Sequence, residues 1–483
     1  MTILTRTFER LARTQPDRVA VLDHGQAVGF GRLQQMSVRL AGWLARQGLT
    51  SGDIVGLTVR DGLRHLVCSI ALMRLGCTQV PLPSYEPATM RAPLALRCRT
   101  TVVLGDGADA AIEGLPLLTP DFEAVLDDAS FDRDPPRGAG TEGPVLILSS
   151  SGTTGRPKLV ACTERQVLGY GQPEIPGADT FFLHYSVESN SAKWIGMINL
   201  AHGRAMVFAD ADRVSLAEIC ARDRVGRVHE FPARLETLAR HIDDATPAER
   251  ATFRRTHFLT GGAGVSAELR RAVRERLSPW LHVIYGATEC GVTSVAGPEH
   301  RESRPDTVGP PFPGVEIRIV DDAGRPLPDG ETGLIRIRSR WSATSYLYDD
   351  EASARMFRDG WFQPGDIGAM APDGALSVAG RGDDMMILNS INIFPAEIET
   401  VAQQFPGVVD CAAFALRGTP WGDIPLLAIV GPPTLDIAAL LTWCRQQLGT
   451  RAPRKVIRVG AIPRNATGKV LRRDLEALGS NAG

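Results

Sequence analysis

Lysine is nearly absent from this 483-residue chain. Of its 53 basic residues only four are lysines, at 158, 193, 455 and 469; the rest are arginines. A bias of this kind can follow from the base composition of a gene. Arginine replaces lysine readily on a solvated surface, but not where a compact ammonium is required. Each remaining lysine is therefore a position to inspect. Cysteines occur at 68, 77, 98, 162, 220, 290, 411 and 444. None forms a Cys-x-x-Cys pair, and no Cys/His spacing suits zinc, which argues against a metal-knuckle or disulfide scaffold. Reduced, mostly buried thiols of a cytoplasmic protein are the expectation. No apolar stretch reaches membrane-spanning length. The first eighteen residues lack the apolar core of a secretory signal and read as an amphipathic helix on Leu4, Phe8 and Leu11. The formal net charge is −2, and no Lys/Arg run stands out. Neither nucleic acid nor a membrane is an expected partner. Repeats and long low-complexity tracts are also missing.

What is present is an ordinary globular composition, 43% hydrophobic and 22% charged. The length suggests two or three folding units with a large core. Residues 1 to 105 alternate strand and helix patterns. Strands are expected at Arg18–Leu22, Asp53–Val59 and Gly76–Leu82, and helices at Gly31–Gln47 and His65–Leu75. This alternation argues for α/β layers with parallel strands. Residues 106 to 142 look like an irregular crossing segment. Strands then recur at Val145–Leu148, Leu159–Ala161, Ala205–Phe208, His257–Leu259 and Leu281–Tyr285. Helices are expected at Pro232–Ile242 and Ala267–Leu277. Residues 314 to 338 turn β-rich. After Gly380-Arg381 the pattern changes again, with about 100 residues that suit a small α+β domain.

Five motifs carry chemistry. Ser149-Ser150-Ser151-Gly152-Thr153-Thr154-Gly155-Arg156-Pro157-Lys158 follows an apolar strand. Its glycines, hydroxyls and lysine suit a phosphate-binding loop. It is not a Walker loop: only two residues separate Gly152 from Gly155, Pro157 precedes the lysine, and Leu159 follows it. Tyr285-Gly286-Ala287-Thr288-Glu289 ends a strand, where ligands of α/β sheets bind. Its aromatic ring can stack on a base and its carboxylate can hold Mg²⁺. Asp366, after Gly365, suits a ribose diol, or a plain turn. Gly380-Arg381-Gly382-Asp383-Asp384 coincides with the change in pattern and suits a hinge. Pro463-Arg464-Asn465-Ala466-Thr467-Gly468-Lys469 presents an ammonium on a turn.

In this order and spacing the motifs resemble those of the adenylate-forming superfamily, which includes acyl- and aryl-CoA synthetases and adenylation domains. The resemblance runs from the N-terminal helix to Lys469. It implies an α/β fold. A large N-terminal domain of layered sheets with a β-barrel-like part, residues 1–382, would precede a small mobile α+β domain, residues 383–483, hinged at Asp383. It implies two half-reactions, with ATP and Mg²⁺ required. A carboxylic acid becomes an acyl-AMP, and a phosphopantetheine thiol then takes the acyl group. Ser150, Ser151, Gly152, Thr153, Thr154, Gly155 and Lys158 would hold the β- and γ-phosphates. Tyr285 and Gly286 would lie at the adenine and Asp366 and Arg381 at the ribose. Thr288 would meet the α-phosphate, Glu289 the Mg²⁺, and Lys469 would bridge carboxylate and α-phosphate. The Gly261-Gly262-Ala263 turn would border adenine and acyl group. The acid pocket would draw on His184, Tyr185, Lys193, Trp194, Gly261 and Cys290.

Departures from the family pattern bear on the second step. Ile387 and Ser390 stand where lysine and glycine are common, and Leu159 where glycine is usual. No Asp in a Phe-Asp-x-Ser motif is present to hold an α-amino group, so a free α-amino acid is not favoured. Lys193 suits a second carboxylate of the substrate, or a structural place. Only 14 residues follow Lys469, too few for a carrier domain. The acceptor is then free coenzyme A or a separate carrier protein, with Arg451, Arg454 and Lys455 as candidate contacts. Two alternatives stand: an amide or β-lactone synthetase of the same fold, and a non-catalytic nucleotide-binding protein.

Overall fold

The computed structural model describes residues 3–132, 143–150, 157–211, 213–300, 307–388, 391–419, 422–465 and 468–480. Four sheets organise them into a large N-terminal α/β part and a small C-terminal part. The first sheet has six strands, in the order Leu117–Leu118, Val102–Gly105, Ile54–Thr58, Thr78–Pro81, Pro144–Ser150 and Lys158–Thr163. All its pairings are parallel except the last, a hairpin that sets Ser150 opposite Lys158. The second sheet has eight strands. From one edge they run Gly291–Ala296, Leu281–Ala287, His257–Gly261, Arg227–His229, Thr180–Leu183, Ala205–Phe208, Val19–Asp23 and Gln26–Gly29. Its six central strands are parallel and each edge pair is antiparallel.

One core joins these two sheets. The helices Ile3–Thr14, Phe30–Arg46, Gly62–Leu75 and Asn190–Ala201 bury side chains into it with strands of both sheets. Phe30–Arg46 shows the expected stripe, with Leu33, Met36, Leu40 and Leu44 buried. Gly62–Leu75 starts on the Asp61 carboxylate, which accepts the Arg64 N–H at 2.8 Å, and stops at Gly76 in the left-handed region, φ 79°. Every residue from His65 to Leu75 is buried, as suits a helix with neighbours on all sides. Truncating a fully buried side chain here, such as Leu72→Ala, costs about 2–5 kcal/mol. The N-terminal helix begins with Ile3 and Leu4 donating their N–H groups to the buried Glu164 carboxylate. That satisfies two of the donors a helix start leaves open.

A third, antiparallel sheet of seven strands forms the barrel-like part, with Asp366–Met370 between Gly333–Ser339 and Leu376–Arg381. The fourth holds the small domain, where Asp410–Thr419 and Gly422–Val430 pair along their length. The helices Pro395–Gln403, Ile437–Leu448 and Arg472–Ser480 flank it. Among the described residues no helix is long and apolar enough to cross a membrane. All eight cysteines are buried.

One expectation needs correction. The helix expected over Ala267–Leu277 is α-helical only to Ala272 and continues as a π-helical turn, Val273–Leu277. Beyond the strand Thr78–Pro81 the chain forms a helix, Ala88–Arg97, with Pro93 inside it.

Candidate active site

The C-terminal ends of adjacent parallel strands create the site's floor, because all carbonyl ends of a parallel sheet face one side. In the second sheet three neighbouring strands end, in spatial order, at Gly261, His229 and Leu183, beside Tyr285 on the adjacent strand Leu281–Ala287. His184 continues one ladder by donating its N–H to His229 O at 3.1 Å. Glu230 continues the next, to Leu259 O at 2.9 Å. At Gly261 a Cβ would lie 2.4 Å from Ile284 O, and Gly262 has φ +80°. Only glycine permits both the close strand approach and the turn.

The Tyr285 hydroxyl donates to Asp366 Oδ2 at 2.6 Å. Burial, and then the Asp366 charge, hold the Tyr285 phenol well above its ordinary range. Asp366 and Arg381 are register partners on neighbouring antiparallel strands, which brings Arg381 Nη1 to 3.8 Å from Asp366 Oδ1. A carboxylate, an arginine and an aromatic ring thus meet where two sheets adjoin.

Glu289 is buried, and Tyr346 donates its hydroxyl to Glu289 Oε1 at 2.7 Å. The Lys158 ammonium lies 5.1 Å from the centre of the Tyr346 ring. Burial and then the positive charge of Arg355 depress the Lys158 pKa, Glu289 opposes, and Arg381 depresses it further. Thr288 presents its carbonyl to the Tyr170 hydroxyl at 3.0 Å. Gly286 is tightly placed, since a Cβ there would meet Gly291 O at 2.1 Å.

Lys469 comes from the small domain. Gly468, φ 77°, and the Asn465 side chain shape its turn, and Lys469 donates its backbone N–H to Asn465 Oδ1 at 2.9 Å. Burial and then Arg381 lower the Lys469 pKa, while Asp384 and Asp366 raise it. Arg381 thus acts on both lysines, Glu289 on Lys158 and Asp366 on Lys469. This is a basic setting with two carboxylates, the donor set that a Mg²⁺-bound polyphosphate nucleotide requires. Among the described residues no cluster of three or more His, Cys, Asp or Glu could hold a metal. A cation here would take one carboxylate and complete its shell with phosphate and water.

The other expected residues fall as follows. Ser150 ends its strand, and Asn190 donates to Ser149 O at 2.6 Å and to Ser149 Oγ at 3.1 Å, fastening the root of the loop. Ser151, Gly152, Thr153, Thr154 and Gly155 lie outside the described residues, as does Ser390; Ala263 follows the Gly261-Gly262 turn. His184 Nδ1 bonds to Glu230 Oε2. Tyr185 stacks on Phe231 with centroids 4.8 Å apart, and Trp194 meets the Tyr170 ring edge-on at 5.6 Å. Cys290 is buried in the second core, and burial pushes its thiol up. Lys193 is buried and donates to Ser69 Oγ at 2.7 Å and Gln79 Oε1 at 3.4 Å. That placement favours its structural reading. Asp383 is exposed; its carbonyl accepts from Arg417 at 3.0 Å. Arg454 is used by Thr450 O at 3.1 Å, and Arg451 approaches Glu397 at 3.8 Å. Tyr346 and Glu230 were missed from sequence. Each contacts its partner across 57 and 46 residues respectively, and no local pattern marks either.

The model for AMP-binding enzymes matches residues 8–347, and that for the AMP-binding enzyme C-terminal domain matches residues 397–469. The chain belongs to the AMP-binding enzyme family. Among its relatives, the 2-succinylbenzoate–CoA ligase of Geobacillus kaustophilus is 28% identical over 99% of this chain and 98% of the relative. The fatty acid–[acyl-carrier-protein] ligase ScoC of Streptomyces coeruleorubidus is 26% identical, over 98% of this chain and 95% of the relative. The same fold is seen in o-succinylbenzoate CoA synthetase (MenE) of Bacillus subtilis, in complex with its acyl-adenylate. The TM-score is 0.86 at 23% identity, over 97% of both chains. As an AMP-binding enzyme, the chain has its second matched segment begin beyond Asp383 and end on Lys469.

Proposed function

We propose that this AMP-binding enzyme is an AMP-forming acid–thiol ligase. It activates a small carboxylic acid with ATP and passes the acyl group to a phosphopantetheine thiol. The observation that carries this reading is the meeting of Asp366 with Tyr285 and Arg381 near Glu289 and Lys158, which share the Tyr346 side chain, with Lys469 of the small domain near enough for its charge to feel Arg381 and Asp366. The chemistry explains why such a grouping is needed. The acid and ATP are both anions and repel each other. In the first half-reaction a carboxylate oxygen bonds to the α-phosphorus as the bond to the β-phosphate oxygen breaks, and pyrophosphate leaves with that electron pair. Charge grows on the transferring phosphorus and the leaving group, so fixed cations there lower the barrier. Lys469 sits against the transferring centre and Lys158 against the leaving phosphates. Asp366 binds the ribose hydroxyls, beside Arg381 and Tyr285. A Mg²⁺ ion held at Glu289 would neutralise phosphate charge.

In the second half-reaction the thiolate sulfur bonds to the acyl carbon, and AMP leaves with the carbon–oxygen electron pair. Lys469 has no part in that step. A swing of the small domain about Asp383 would remove it and open a path for the thiol. Coenzyme A and a carrier protein present the same arm, and the relatives described above include a ligase of each kind.

Acid-dependent ATP–pyrophosphate exchange tests the reading. Exchange that requires an acid and Mg²⁺ supports it, and thioester formation with coenzyme A or a carrier protein then identifies the acceptor. ATP binding with no exchange on any acid would sink it. Amide formation with an amine in place of a thiol would replace the second half alone.

A further inference from the structure

The two domains meet through a bond that the chemistry above does not use. Gln404 closes the small-domain helix Pro395–Gln403, and its Nε2 donates to Glu268 Oε1 at 2.9 Å. Glu268 belongs to the large domain, on the helix Ala267–Ala272 that follows the Gly261-Gly262 turn. Its other oxygen, Oε2, is buried and has no partner among the described residues. Losing the Gln404 bond would leave this half-buried carboxylate less satisfied still. The helix is a fixed platform. The Ser266 hydroxyl accepts the Leu269 N–H at 3.1 Å at its start, and the buried Arg270 donates to Val265 O at 3.0 Å. A second approach lies on the neighbouring helix Pro232–His241. Burial raises the Glu236 pKa and Arg240 lowers it; from the small domain, Asp410 raises it and Arg464 lowers it.

Both approaches connect to Lys469. Arg464 donates to Asp410 Oδ1 at 2.8 Å and to Gly468 O at 3.0 Å, so it joins the docking face to the turn that carries Lys469. On the helix that ends at Gln404, Glu399 Oε1 accepts from Arg472 at 2.6 Å and from the Ala413 N–H at 2.9 Å. Arg472 lies three residues beyond Lys469 and also donates to Ala413 O at 3.0 Å. Helix, sheet and turn are thus tied into one unit, and where Gln404 docks decides where Lys469 goes. A single bond from an exposed glutamine is weak enough to break in every cycle, as a domain that must leave requires.

We propose that Glu268 and Gln404 form a latch that holds the small domain in the orientation that delivers Lys469, and so set the balance between the two half-reactions. Neither touches substrate; both are positioning residues that act through Lys469. The inference rests on the ligase reading and names what decides that balance. The docked and swung orientations are in equilibrium, and the bond favours one of them. Each half-reaction proceeds from one orientation. The ratio of the two rates therefore follows the ratio of the two populations, whichever orientation predominates.

The test uses the full chain and measures two rates. ATP–pyrophosphate exchange reports the first half-reaction, with the most active of benzoic, cinnamic, succinic and octanoic acids. Transfer from the pre-formed acyl-adenylate of that acid to coenzyme A or pantetheine reports the second. Gln404→Ala should raise the ratio of transfer to exchange about 3- to 10-fold, the worth of one hydrogen bond. Glu268→Ala should do the same, and the double variant should match either alone, because the two side chains share one bond. Gln404→Glu sets like charges together and should raise the ratio further, whereas Gln404→Lys should lower it below the parent's. Urea midpoints of the Gln404 variants should stay at the parent's, since the side chain is exposed. An unchanged ratio in Gln404→Ala, equal losses in both half-reactions, multiplied effects in the double variant, or shifts of one sign in Gln404→Glu and Gln404→Lys would each overturn the inference while the ligase reading stood. No exchange with any acid, or exchange with no transfer to either thiol, would overturn both.

Discussion

The Tyr285 hydroxyl donates to Asp366 Oδ2 at 2.6 Å and ties the end of a parallel strand to the antiparallel barrel-like sheet. The bond leaves Asp366 Oδ1 as the freer oxygen, with Arg381 at 3.8 Å. Asp366→Asn should raise the KM for ATP by about 10- to 100-fold, the worth of a hydrogen bond to a charged acceptor. Tyr285→Phe should have a smaller effect on ATP. It should also lower stability by about 1–3 kcal/mol, because a carboxylate loses its donor in a mostly buried place. Steady-state kinetics and urea unfolding separate the two. An unchanged KM for ATP in Asp366→Asn would move the ribose elsewhere.

Lys469 is expected to serve one half-reaction only. Lys469→Ala should lower the exchange rate by about 10²–10³-fold, the scale for losing one group that stabilises developing charge. Thioester formation from a pre-formed acyl-adenylate should continue at close to the normal rate. Equal loss in both assays would place Lys469 in a structural role instead.

Glu289 and Tyr346 form a carboxylate with its orienting donor, at 2.7 Å. Removing such a partner typically weakens metal binding about 10- to 100-fold. Tyr346→Phe should therefore raise the Mg²⁺ concentration needed for half-maximal exchange, and Glu289→Gln should raise it further. Titrating Mg²⁺ at fixed ATP checks both. Equal Mg²⁺ dependence in all three proteins would remove Glu289 from the metal.

Much of this site was legible in the sequence because its residues sit on short motifs with fixed turns. Gly468 beside Lys469 and Gly365 beside Asp366 both adopt positive φ. Strands such as Ala205–Phe208 were legible as well, since a buried parallel strand is a short apolar run. The helix Asn190–Ala201 was not, because burial on most sides erases its periodicity. Nor was Glu230, whose partner comes from another strand. Lys193 illustrates the limit from the other side. Its rarity drew attention to it, yet its bonds to Ser69 and Gln79 hold it in the core between the sheets.

Stability should fall on the acid side earlier than carboxylate titration would make it. Burial lowers His229 to about 3 and His282 to about 4, and holds His65 well below its ordinary value. These rings are neutral in the folded state, while in the unfolded chain they take up protons near pH 6.5. Below that pH the unfolded state binds more protons, so stability is lost as pH falls from about 6.5 toward 4. Each group contributes at most about 1.4 kcal/mol per pH unit. Urea midpoints at pH 7.5 and 5.5 should therefore differ clearly, and His282→Asn should reduce the difference. Equal midpoints would mean that the histidines are solvated.

On the alkaline side two effects oppose, and their numbers decide the outcome. Burial lowers Lys193 to about 7. The unfolded chain keeps that proton to about pH 10.4, so Lys193 alone makes stability rise with pH above 7. Against it stand the buried thiols. Burial raises Cys77, Cys98, Cys162 and Cys220 to about 12 and Cys444 to about 11, and raises Cys68, Cys290 and Cys411 as well. Unfolded thiols ionise near pH 8.5, and above that pH the folded state holds protons the unfolded state has released. Eight such groups outweigh Lys193 together with Lys158 and Lys469, which burial also lowers, so stability should peak between about pH 7 and 8.5 and fall beyond. Lys193→Met removes the part of the rising contribution that begins near pH 7. Its stability, followed by urea unfolding under reducing conditions, should not rise between pH 7 and 8 as the parent's does, while both should decline above pH 9. A variant that follows the parent's profile through pH 7 to 8 would show that Lys193 keeps its charge in the folded protein.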